Sequence, residues 1–430
     1  MKLTIIGTGY VGLVTGSCFA DLGNDVTCID IDERKIAGLN DGVVPIYEPG
    51  LEELVARNTR AGRLRFTTSY AEGLPTAEFC FITVDTPAGS NGQANMSAVR
   101  GAARMIGEAM QGQTTIINKS TMPIGSGDLV TSIVAPFAVN GVTFDVVSNP
   151  EFLREGAAIQ DFNRPDRVVL GSTNPIAAEL VAELYAPLNA PILITDLRTA
   201  EMIKYAANAF LATRISFINE VAQICERLGA DVRVVAEGMG LDKRIGRHFL
   251  DAGIGFGGSC FPKDVRALAY MAEATDCHPQ LLNAVVEINE AMRRRFVLKV
   301  ERMLGDLHGT TIGAWGLAFK PDTDDMREAP AIEILKGLVQ KGARVRAYDP
   351  VSMENARRYL PEIEYAANPY DAAADADALV LLTHWNEFKQ VDLGRVARQM
   401  RKPILVDGRN LYDPSEARRH GFVYAGVGRC

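Results

Sequence analysis

The sequence predicts an α/β chain in which two doubly wound parallel-sheet domains are joined by a central helical segment with a long helix. Short apolar β runs alternate with helical stretches up to about residue 195 and again from about residue 308, which is typical of parallel sheets. The pattern between them is helical, and 430 residues suffice for several cores. We therefore expect domains at residues 1–198, 199–305 and 306–430.

The first domain begins with a β run from Leu3 to Ile6, a helix from Leu13 to Leu22 and a strand from Asp25 to Asp30. Further strands are expected at 78–84, 113–118, 145–148 and 167–170. The third domain repeats this pattern, with β runs at 310–317, 343–349, 376–383 and 402–407. The repeat predicts two nucleotide-binding folds.

The central segment is expected to hold two long helices. Thr199 is the predicted N-cap of the first and Gly229 follows its last residue, while the second runs from about Pro279 to Leu304. Four glycines within residues 253–258 are too dense for a helix or strand and predict a loop.

Composition excludes several classes of protein. Lys and Arg number 45 and Asp and Glu 53, so the net charge of −8 gives no reason to expect a nucleic acid or a membrane surface as partner. No apolar run approaches the ~20 residues of a membrane-spanning helix, and the N-terminus leaves no room for a signal peptide. We therefore expect a cytoplasmic protein.

The seven cysteines and five histidines show no metal-ligand spacing, so no metal site is predicted. Without an export signal the cysteines are expected to be reduced. We expect Cys430 to be exposed and four other thiols to be buried: Cys18, Cys28, Cys80 and Cys225.

A glycine fingerprint, G-x-G-x-x-G, follows the first strand and begins the first helix; its residues are Gly7, Gly9, Tyr10, Val11 and Gly12. Its glycines permit a tight turn that brings a pyrophosphate to the helix N-terminus, which predicts a Rossmann-like dinucleotide-binding domain.

The acid Asp30 ends the next strand and can accept hydrogen bonds from a ribose 2′-hydroxyl, so NAD is favoured over NADP. The cations Arg34 and Lys35 leave NADP as an alternative. A second glycine turn, at 313–316, contains the bulky Trp315 and fits a nucleotide-bearing substrate better than a dinucleotide.

Cys260 lies after the glycine loop and before Pro262, which places it at a helix N-terminus. That position and the neighbouring Lys263 favour the thiolate, so we expect a nucleophile. A thiolate beside NAD permits an alcohol to be oxidised beyond the aldehyde: the aldehyde adds to sulfur, and loss of a second hydride leaves a thioester.

Other polar residues fit the remaining roles. Lys204 and Asn208 are four apart on the first long helix and can stabilise an oxyanion; the alternative is a solvated lysine near an asparagine. Lys119-Ser120-Thr121 follows a strand end and offers a hydroxyl.

Two carboxylates, Glu151 and Glu155, also follow a strand end, where open α/β sheets bind ligands. A salt bridge to Arg154 or Arg167 is the alternative.

Together these stretches resemble the nucleotide-sugar dehydrogenases of the UDP-glucose/GDP-mannose dehydrogenase family, and most closely its members that oxidise UDP-glucose. The most specific matches are GFGGSCFPKD (255–264) and GLAFKPDTDDMREAP (316–330). The others are GTGYVG (7–12), VDTP (84–87), KST (119–121), SNPEFLREG (148–156), PDRVVLG (165–171), EMIKYAANAF (201–210), KRIG (243–246) and DGRN (407–410).

The resemblance implies a four-electron oxidation of the UDP-glucose C6 alcohol to UDP-glucuronate with two NAD⁺, through aldehyde, thiohemiacetal and cysteinyl thioester. The implied catalytic residues are Cys260 as nucleophile, Lys204 and Asn208 at the oxyanion, Asp264 beside the thiol and a water, and Thr121 with Glu151 for water and protons.

Two binding sets are implied as well. The NAD site would comprise the fingerprint, Asp30, Lys35, Thr86, Thr121, Glu155, Lys263 and Arg327. The UDP-sugar site would comprise Glu151, Phe152, Leu153, Arg154, Glu155, Lys204, Asn208, Phe249, Leu250, Asp251, Ala252, Gly253, Gly257, Phe261, Phe319, Lys320 and Arg409. Arg244 resembles a residue that reaches a neighbouring subunit's substrate, which implies a homodimer.

One departure from the family pattern is Asp85, where relatives often carry Gly or Asn. Three alternatives stay open: a 6-dehydrogenase of GDP-mannose or another nucleotide sugar, a single-hydride β-hydroxyacid dehydrogenase, and a non-enzymatic NAD sensor. A β-hydroxyacid dehydrogenase needs neither a thiol nor a third domain, and an NAD sensor has no use for Cys260.

Overall fold

The computed structural model describes residues 1–89, 92–139 and 141–429, and the chain divides into two compact units, Met1–Ala207 and Asn208–Cys430. Each unit contains a sheet of mainly parallel strands, which confirms the predicted fold class. The prediction that Cys430 is exposed concerns a residue outside the described ones.

Within the described residues, the strands of the first unit form one sheet of order β3-β2-β1-β4-β5-β6-β7-β8. They are β1 Lys2–Ile6, β2 Asp25–Ile29, β3 Leu64–Thr67, β4 Phe79–Ile82, β5 Thr114–Asn118, β6 Phe144–Ser148, β7 Val168–Ser172 and β8 Ile192–Thr195. The helices are α1 Tyr10–Asp21, α2 Glu33–Asn40, α3 Leu51–Arg60, α4 Tyr70–Gly73, α5 Ser97–Ala109, α6 Ser126–Val134, α7 Ala158–Asn163 and α8 Pro175–Tyr185, with short 3₁₀ turns at Ala135–Phe137 and Ala186–Leu188.

The central strands are buried on both sides by separate layers of helices. Leu13 and Phe19 of α1 belong to the apolar cluster on one face, while Val99 and Ile106 of α5 belong to the cluster on the other. Because both faces are covered, the carboxyl edge of the strands is the part of the sheet left for a ligand.

One strand departs from the parallel arrangement. β7 pairs antiparallel with β6, so the expectation of a parallel strand at 167–170 is wrong. β7 starts at the same edge of the sheet at which β6 ends, so the connection, residues 149–167 with the helix α7, does not cross the sheet. The chain therefore comes back directly through β7, and α8 then connects to the parallel strand β8.

The long helix α9, Leu197–Leu228, begins in the first unit and continues into the second. Thr199 is not its N-cap: Asp196 accepts hydrogen bonds from the Thr199 backbone nitrogen at 2.9 Å and hydroxyl at 2.6 Å. These bonds hold the pKa of Asp196 below its usual range, and the carboxylate complements the helix dipole. The helix ends before Gly229, as predicted.

In the described part of the second unit, the sheet has the order β11-β10-β9-β12-β13-β14, with all pairs parallel. The strands are β9 Thr311–Trp315, β10 Arg344–Tyr348, β11 Glu364–Tyr365, β12 Ala378–Leu381, β13 Ile404–Asp407 and β14 Val423–Gly426. The helices are α10 Val232–Gly240, α11 Phe261–Glu273, α12 Gln280–Leu304, α13 Pro330–Gln340, α14 Met353–Ala356, α15 Pro369–Ala373, α16 Asn386–Lys389, α17 Leu393–Gln399 and α18 Pro414–Arg419.

The four thiols predicted to be buried are buried: Cys18, Cys28, Cys80 and Cys225. Burial raises the pKa of both Cys18 and Cys28 to about 12, which leaves them protonated at neutral pH. Among the described residues, no helix has the length and apolar character required to cross a membrane.

Candidate active site

The fingerprint turn has the shape that a dinucleotide pyrophosphate requires. Gly7 has φ +100°, and a Cβ at Gly12 would lie 1.9 Å from the Gly7 carbonyl oxygen, so α1 packs closely on the turn. At Gly9, by contrast, the nearest atom to an added Cβ is Oδ1 of Asp85, 3.9 Å away. The turn is tight where packing requires it and open where a phosphate would approach the α1 N-terminus.

Asp30 forms the centre of a hydrogen-bond cluster beside the fingerprint. One carboxylate oxygen accepts from the Thr8 backbone nitrogen at 2.8 Å and from Lys35 Nζ at 2.9 Å. Burial raises the pKa of Asp30, but the hydrogen bonds from Lys35 and Thr8 outweigh it and hold the pKa below its ordinary value. Lys35 is therefore neutralised by Asp30, which weighs against recognition of a 2′-phosphate.

Glu48, which the sequence analysis did not single out, connects the fingerprint with the loop after β6. Its buried carboxylate accepts hydrogen bonds from the Tyr10 hydroxyl and from the backbone nitrogens of Gly156 at 2.6 Å and Ala158 at 2.8 Å. These bonds fix the end of the 151–156 loop against α1. The partners lie 38 to 110 residues apart, so no local sequence pattern signals the contact.

Glu151 and Lys204 form a buried ion pair. Oε1 of Glu151 lies 3.1 Å from Nζ of Lys204, with the two side chains 5% and 4% exposed, and the backbone nitrogen of Leu153 donates to Oε2 at 2.6 Å. The alternative of a solvated lysine is therefore wrong. Arg154 does not neutralise Glu151, because it pairs with Asp161 at 2.6 Å.

Two further contacts order the neighbouring loops of the first unit. The guanidinium of Arg167 lies 3.6 Å from the centroid of the Phe152 ring, and Lys204 Nζ lies 5.3 Å from the same centroid. The buried hydroxyl of Thr86 donates to the Thr121 carbonyl oxygen at 2.7 Å. The loops after β4 and β5 are thus held together next to the strand ends.

In the second unit, Asp264 is a buried carboxylate next to the glycine loop. It accepts from Asn208 Nδ2 at 2.7 Å and from Lys263 Nζ at 2.7 Å, and its side chain is only 1% exposed. Lys263 therefore pairs directly with Asp264. The two donors fix this carboxylate on the first turn of α11.

Cys260 is the residue immediately before α11 and is partly exposed. The hydroxyl oxygen of Ser259 lies 3.6 Å from its sulfur. Pro262 stands in the first turn of the helix, as expected, so Cys260 is at a helix N-terminus, where a thiolate is stabilised. Cys260 is therefore partly exposed, whereas the other four thiols named above are buried.

The loop before Cys260 has a fixed backbone and is not the flexible segment that its glycines suggest. Asn289 accepts from the Phe256 backbone nitrogen at 2.7 Å and donates to its carbonyl oxygen at 3.0 Å. A Cβ at Gly257 would lie 2.3 Å from the Glu328 carbonyl oxygen, so only glycine fits there. The glycines permit close packing.

The segment 249–253 enters this loop through an unusual conformation. Phe249 has φ +61°, which is rare for a non-glycine residue, and its ring centroid lies 6.3 Å from that of Phe261. Gly253 is anchored by its backbone nitrogen, which donates to Asn219 Oδ1 at 2.8 Å. Such backbone strain clusters at ligand-binding sites.

Arg409 links three segments of the second unit. Its guanidinium donates to the carbonyl oxygens of Leu382 at 2.8 Å, Gly255 at 3.0 Å and Phe319 at 3.2 Å. Burial and the charge of Arg293 lower its pKa to about 10, so it is a cation at neutral pH. Three of its five N–H groups are used in these bonds, and the others suit an anionic ligand.

The second glycine turn, at residues 313–316, differs from the first in the hydrogen bonds of the acid that follows the next strand. Asp349 accepts from the backbone nitrogens of Leu317 at 2.8 Å and Ala318 at 3.3 Å and from Trp385 Nε1 at 3.0 Å. Trp315 is fully buried and stacks on Phe388, with ring centroids 5.2 Å apart. Asp349 is therefore engaged in holding its own turn, which disfavours a dinucleotide at this position.

Three models of one protein family match successive parts of the chain. Residues 1–189 match the NAD binding domain of the UDP-glucose/GDP-mannose dehydrogenase family, 198–291 its central domain and 313–414 its UDP binding domain. The chain belongs to this family. The dinucleotide that the fingerprint domain binds is accordingly NAD.

Individual relatives agree with that assignment. The chain is 50% identical to UDP-glucose 6-dehydrogenase TuaD of Bacillus subtilis (strain 168), over all of this chain and 93% of that protein. It is also 50% identical to UDP-glucose 6-dehydrogenase of Rhizobium meliloti (strain 1021), over all of both chains. Among solved structures, a UDP-glucose dehydrogenase from Pyrobaculum islandicum superposes with a TM-score of 0.93 at 41% identity, covering all of this chain and 98% of the other.

In this member of the UDP-glucose/GDP-mannose dehydrogenase family, the predicted site residues fall into two sets. The first unit contains the fingerprint, Asp30, Lys35, Thr86, Thr121, residues 151–155 and Lys204. The second unit contains Asn208, residues 249–264, Phe319, Lys320, Arg327 and Arg409. Three predicted residues are exposed and paired at short range: Arg244 with Asp242, Asp251 with Arg247, and Arg327 with Asp325.

The exposed carboxylate of Asp85 points toward the open side of Gly9, where the cofactor pyrophosphate would approach. We expect Asp85→Asn to bind NAD about two- to five-fold more tightly, because a like charge is removed at an exposed site. Titration of cofactor fluorescence at low and high salt measures this. The gain should shrink as salt rises. Equal affinities at low salt would show that the carboxylate does not face the phosphates.

Proposed function

We propose that this chain catalyses the NAD-dependent oxidation of UDP-glucose to UDP-glucuronate through a thioester on Cys260. The observation that carries the proposal is the partly exposed thiol of Cys260 at the N-terminus of α11, in a chain that matches all three domains of the family. A single-hydride β-hydroxyacid dehydrogenase or an NAD sensor would have no use for such a thiol.

The first half-reaction converts the C6 alcohol to an aldehyde. A base removes the hydroxyl proton and NAD⁺, when bound, accepts the hydride from C6. Glu151 and Lys204 suit this step because their buried ion pair holds a carboxylate and a cation in fixed geometry. Thr121 lies at the end of β5 and offers a hydroxyl for guiding the proton.

The second half-reaction uses sulfur. The Cys260 thiolate adds to the aldehyde carbon and gives a thiohemiacetal, whose oxyanion Lys204 and Asn208 would stabilise. Loss of a hydride to a second NAD⁺ leaves the thioester. Water then attacks the carbonyl carbon, the C–S bond breaks, and the acid and the free thiol are released. The carboxylate of Asp264, fixed by Asn208 and Lys263, suits the orientation of that water.

The binding residues are proposed on the same grounds. Asp30, paired with Lys35, would accept hydrogen bonds from the NAD ribose, with Tyr10, Val11, Thr86, Glu155, Lys263 and Arg327 completing the NAD site. Arg409 would contact the UDP diphosphate with those of its N–H groups that do not donate to the carbonyl oxygens of Leu382, Gly255 and Phe319. Lys320, Phe319, Phe261, Gly257, 249–253 and residues 151–155 would complete the sugar-nucleotide site.

We also propose a cytoplasmic homodimer with the domain bounds 1–198, 199–305 and 306–430. On α9 the exposed apolar side chains Phe210, Phe217 and Ile224 recur every seven residues, with exposed fractions of 61%, 47% and 51%. A stripe at this spacing favours packing against a second helix. Arg244, with a side chain 90% exposed, would then be placed to reach the substrate of the other subunit.

Measurement of NADH formed per nucleotide sugar consumed tests the proposal. We expect two NADH and UDP-glucuronate from UDP-glucose, and no turnover with GDP-mannose. One NADH per sugar would contradict the thioester route. Two NADH from GDP-mannose and none from UDP-glucose would retain the chemistry and replace the substrate.

A further inference from the structure

Lys119 is a buried cation that the proposed chemistry does not use. It follows β5, and its side chain is buried, with the residue 4% exposed. Among residues 1–89, 92–139 and 141–429, none supplies a carboxylate oxygen within salt-bridge distance of its ammonium group. Burial lowers its pKa to about 8. A buried charge without a direct counter-ion opposes folding, and such residues concentrate at functional sites.

The ammonium group is instead part of a three-residue network. Nζ of Lys119 donates to Asn149 Oδ1 at 3.0 Å and to the Tyr185 hydroxyl at 3.3 Å, and that hydroxyl donates to the same Asn149 oxygen at 2.5 Å. Asn149 Nδ2 in turn donates to the Val169 carbonyl oxygen at 3.0 Å. These bonds fix Asn149, which lies two residues before Glu151.

The charged groups that act on Lys119 come from two segments. The Glu151 carboxylate, on the loop after β6, favours its protonated form, and the Lys204 ammonium, on α9, opposes it. The groups in direct contact, Asn149 and Tyr185 at the end of α8, are neutral, because burial raises the pKa of Tyr185.

We propose that Lys119 is a positioning residue for the oxidation: it holds the 149–151 turn so that Glu151 meets Lys204. This inference rests on the roles proposed above for Glu151 and Lys204. Lys119 acts through those residues and does not itself touch the substrate.

The test compares kcat and KM for Lys119→Met and Lys119→Arg in the full-length enzyme. We expect Lys119→Met to lower kcat about ten-fold or more while KM for NAD stays within about two-fold, because a misplaced Glu151 affects the reaction and not the binding of NAD. Lys119→Arg keeps a cationic donor for Asn149 and should return kcat toward its wild-type value. A wild-type kcat in Lys119→Met would overturn the proposal, whatever its thermal stability.

Controls separate positioning from folding. Lys402→Met removes an exposed lysine and should leave kcat unchanged. If Lys119→Met does not fold, Tyr185→Phe removes only the hydroxyl bonded to Asn149; we expect a kcat about three- to ten-fold lower, and an unchanged kcat would overturn the proposal.

Glu151→Gln distinguishes this inference from the function on which it rests. If Glu151→Gln is inactive while Lys119→Met matches wild type, only the inference about Lys119 fails. If Glu151→Gln retains wild-type turnover, the proposed role of Glu151 fails and the inference falls with it. Inactive Glu151→Gln together with a lowered kcat and an unchanged KM for NAD in Lys119→Met supports both.

Discussion

Replacement of Cys260 by alanine is expected to abolish the formation of UDP-glucuronate, with at least a ~10³-fold loss of NADH production. Without sulfur no thiohemiacetal forms, so the enzyme can transfer at most one hydride and must release or retain the aldehyde. Steady-state NADH formation together with trapping of the aldehyde by hydroxylamine measures both consequences. The circular dichroism spectrum should be unchanged, because Cys260 is partly exposed and lies outside the apolar clusters.

The matched control is Cys277→Ala, because Cys277 is a free and exposed thiol that has no proposed role. We expect that variant to retain wild-type turnover and to lose activity on treatment with iodoacetamide as fast as the wild type does. Two NADH per UDP-glucose from Cys260→Ala would contradict the thioester route.

Asp264→Asn is expected to have the second largest effect, lowering kcat about 10²-fold and the free energy of unfolding by about 3 kcal/mol. The amide keeps the shape and can still accept from Asn208, but it removes the charge that pairs with Lys263 and leaves that ammonium without its partner. Steady-state kinetics and urea denaturation measure the two losses.

An exposed ion pair provides the control for Asp264. Glu108→Gln breaks the pair with Arg104 on α5, whose side chains are 39% and 71% exposed, and should change neither the urea midpoint nor kcat. A wild-type kcat in Asp264→Asn would show that its charge is not needed for the reaction, even if stability falls.

Features that depend on neighbouring residues were predicted well from the sequence. The fingerprint turn, the position of Cys260 at a helix N-terminus and the one-turn spacing of Lys204 and Asn208 follow from local spacing, and the structure has all three. Ten of the strands in the described residues also fall where apolar runs predict them, whereas β3, β8, β11 and β14 were not predicted. Their catalytic and binding roles stay predictions.

What the sequence did not reveal depends on contacts between distant residues. Glu48 reaches Gly156 across 108 positions, and Lys119 reaches Tyr185 across 66. No local pattern indicates such partners. Two other predictions were wrong as well: β7 runs antiparallel to β6, and Asp196, only three residues before Thr199, caps α9 in its place.

Asp30 and Asp349 occupy the same place in the two sheets, directly after the second strand, yet their hydrogen bonds have diverged. Asp30 accepts one backbone bond from its glycine turn, one from the Asp32 backbone nitrogen, and side-chain bonds from Thr8 and Lys35. Asp349, by contrast, accepts two backbone bonds from its glycine turn and a side-chain bond from Trp385. The two halves of the chain are thus not interchangeable by a single substitution. Converting the second half into a cofactor carrier would require a smaller residue at Trp315, a new donor set for the 316–318 turn and release of Asp349, all at once.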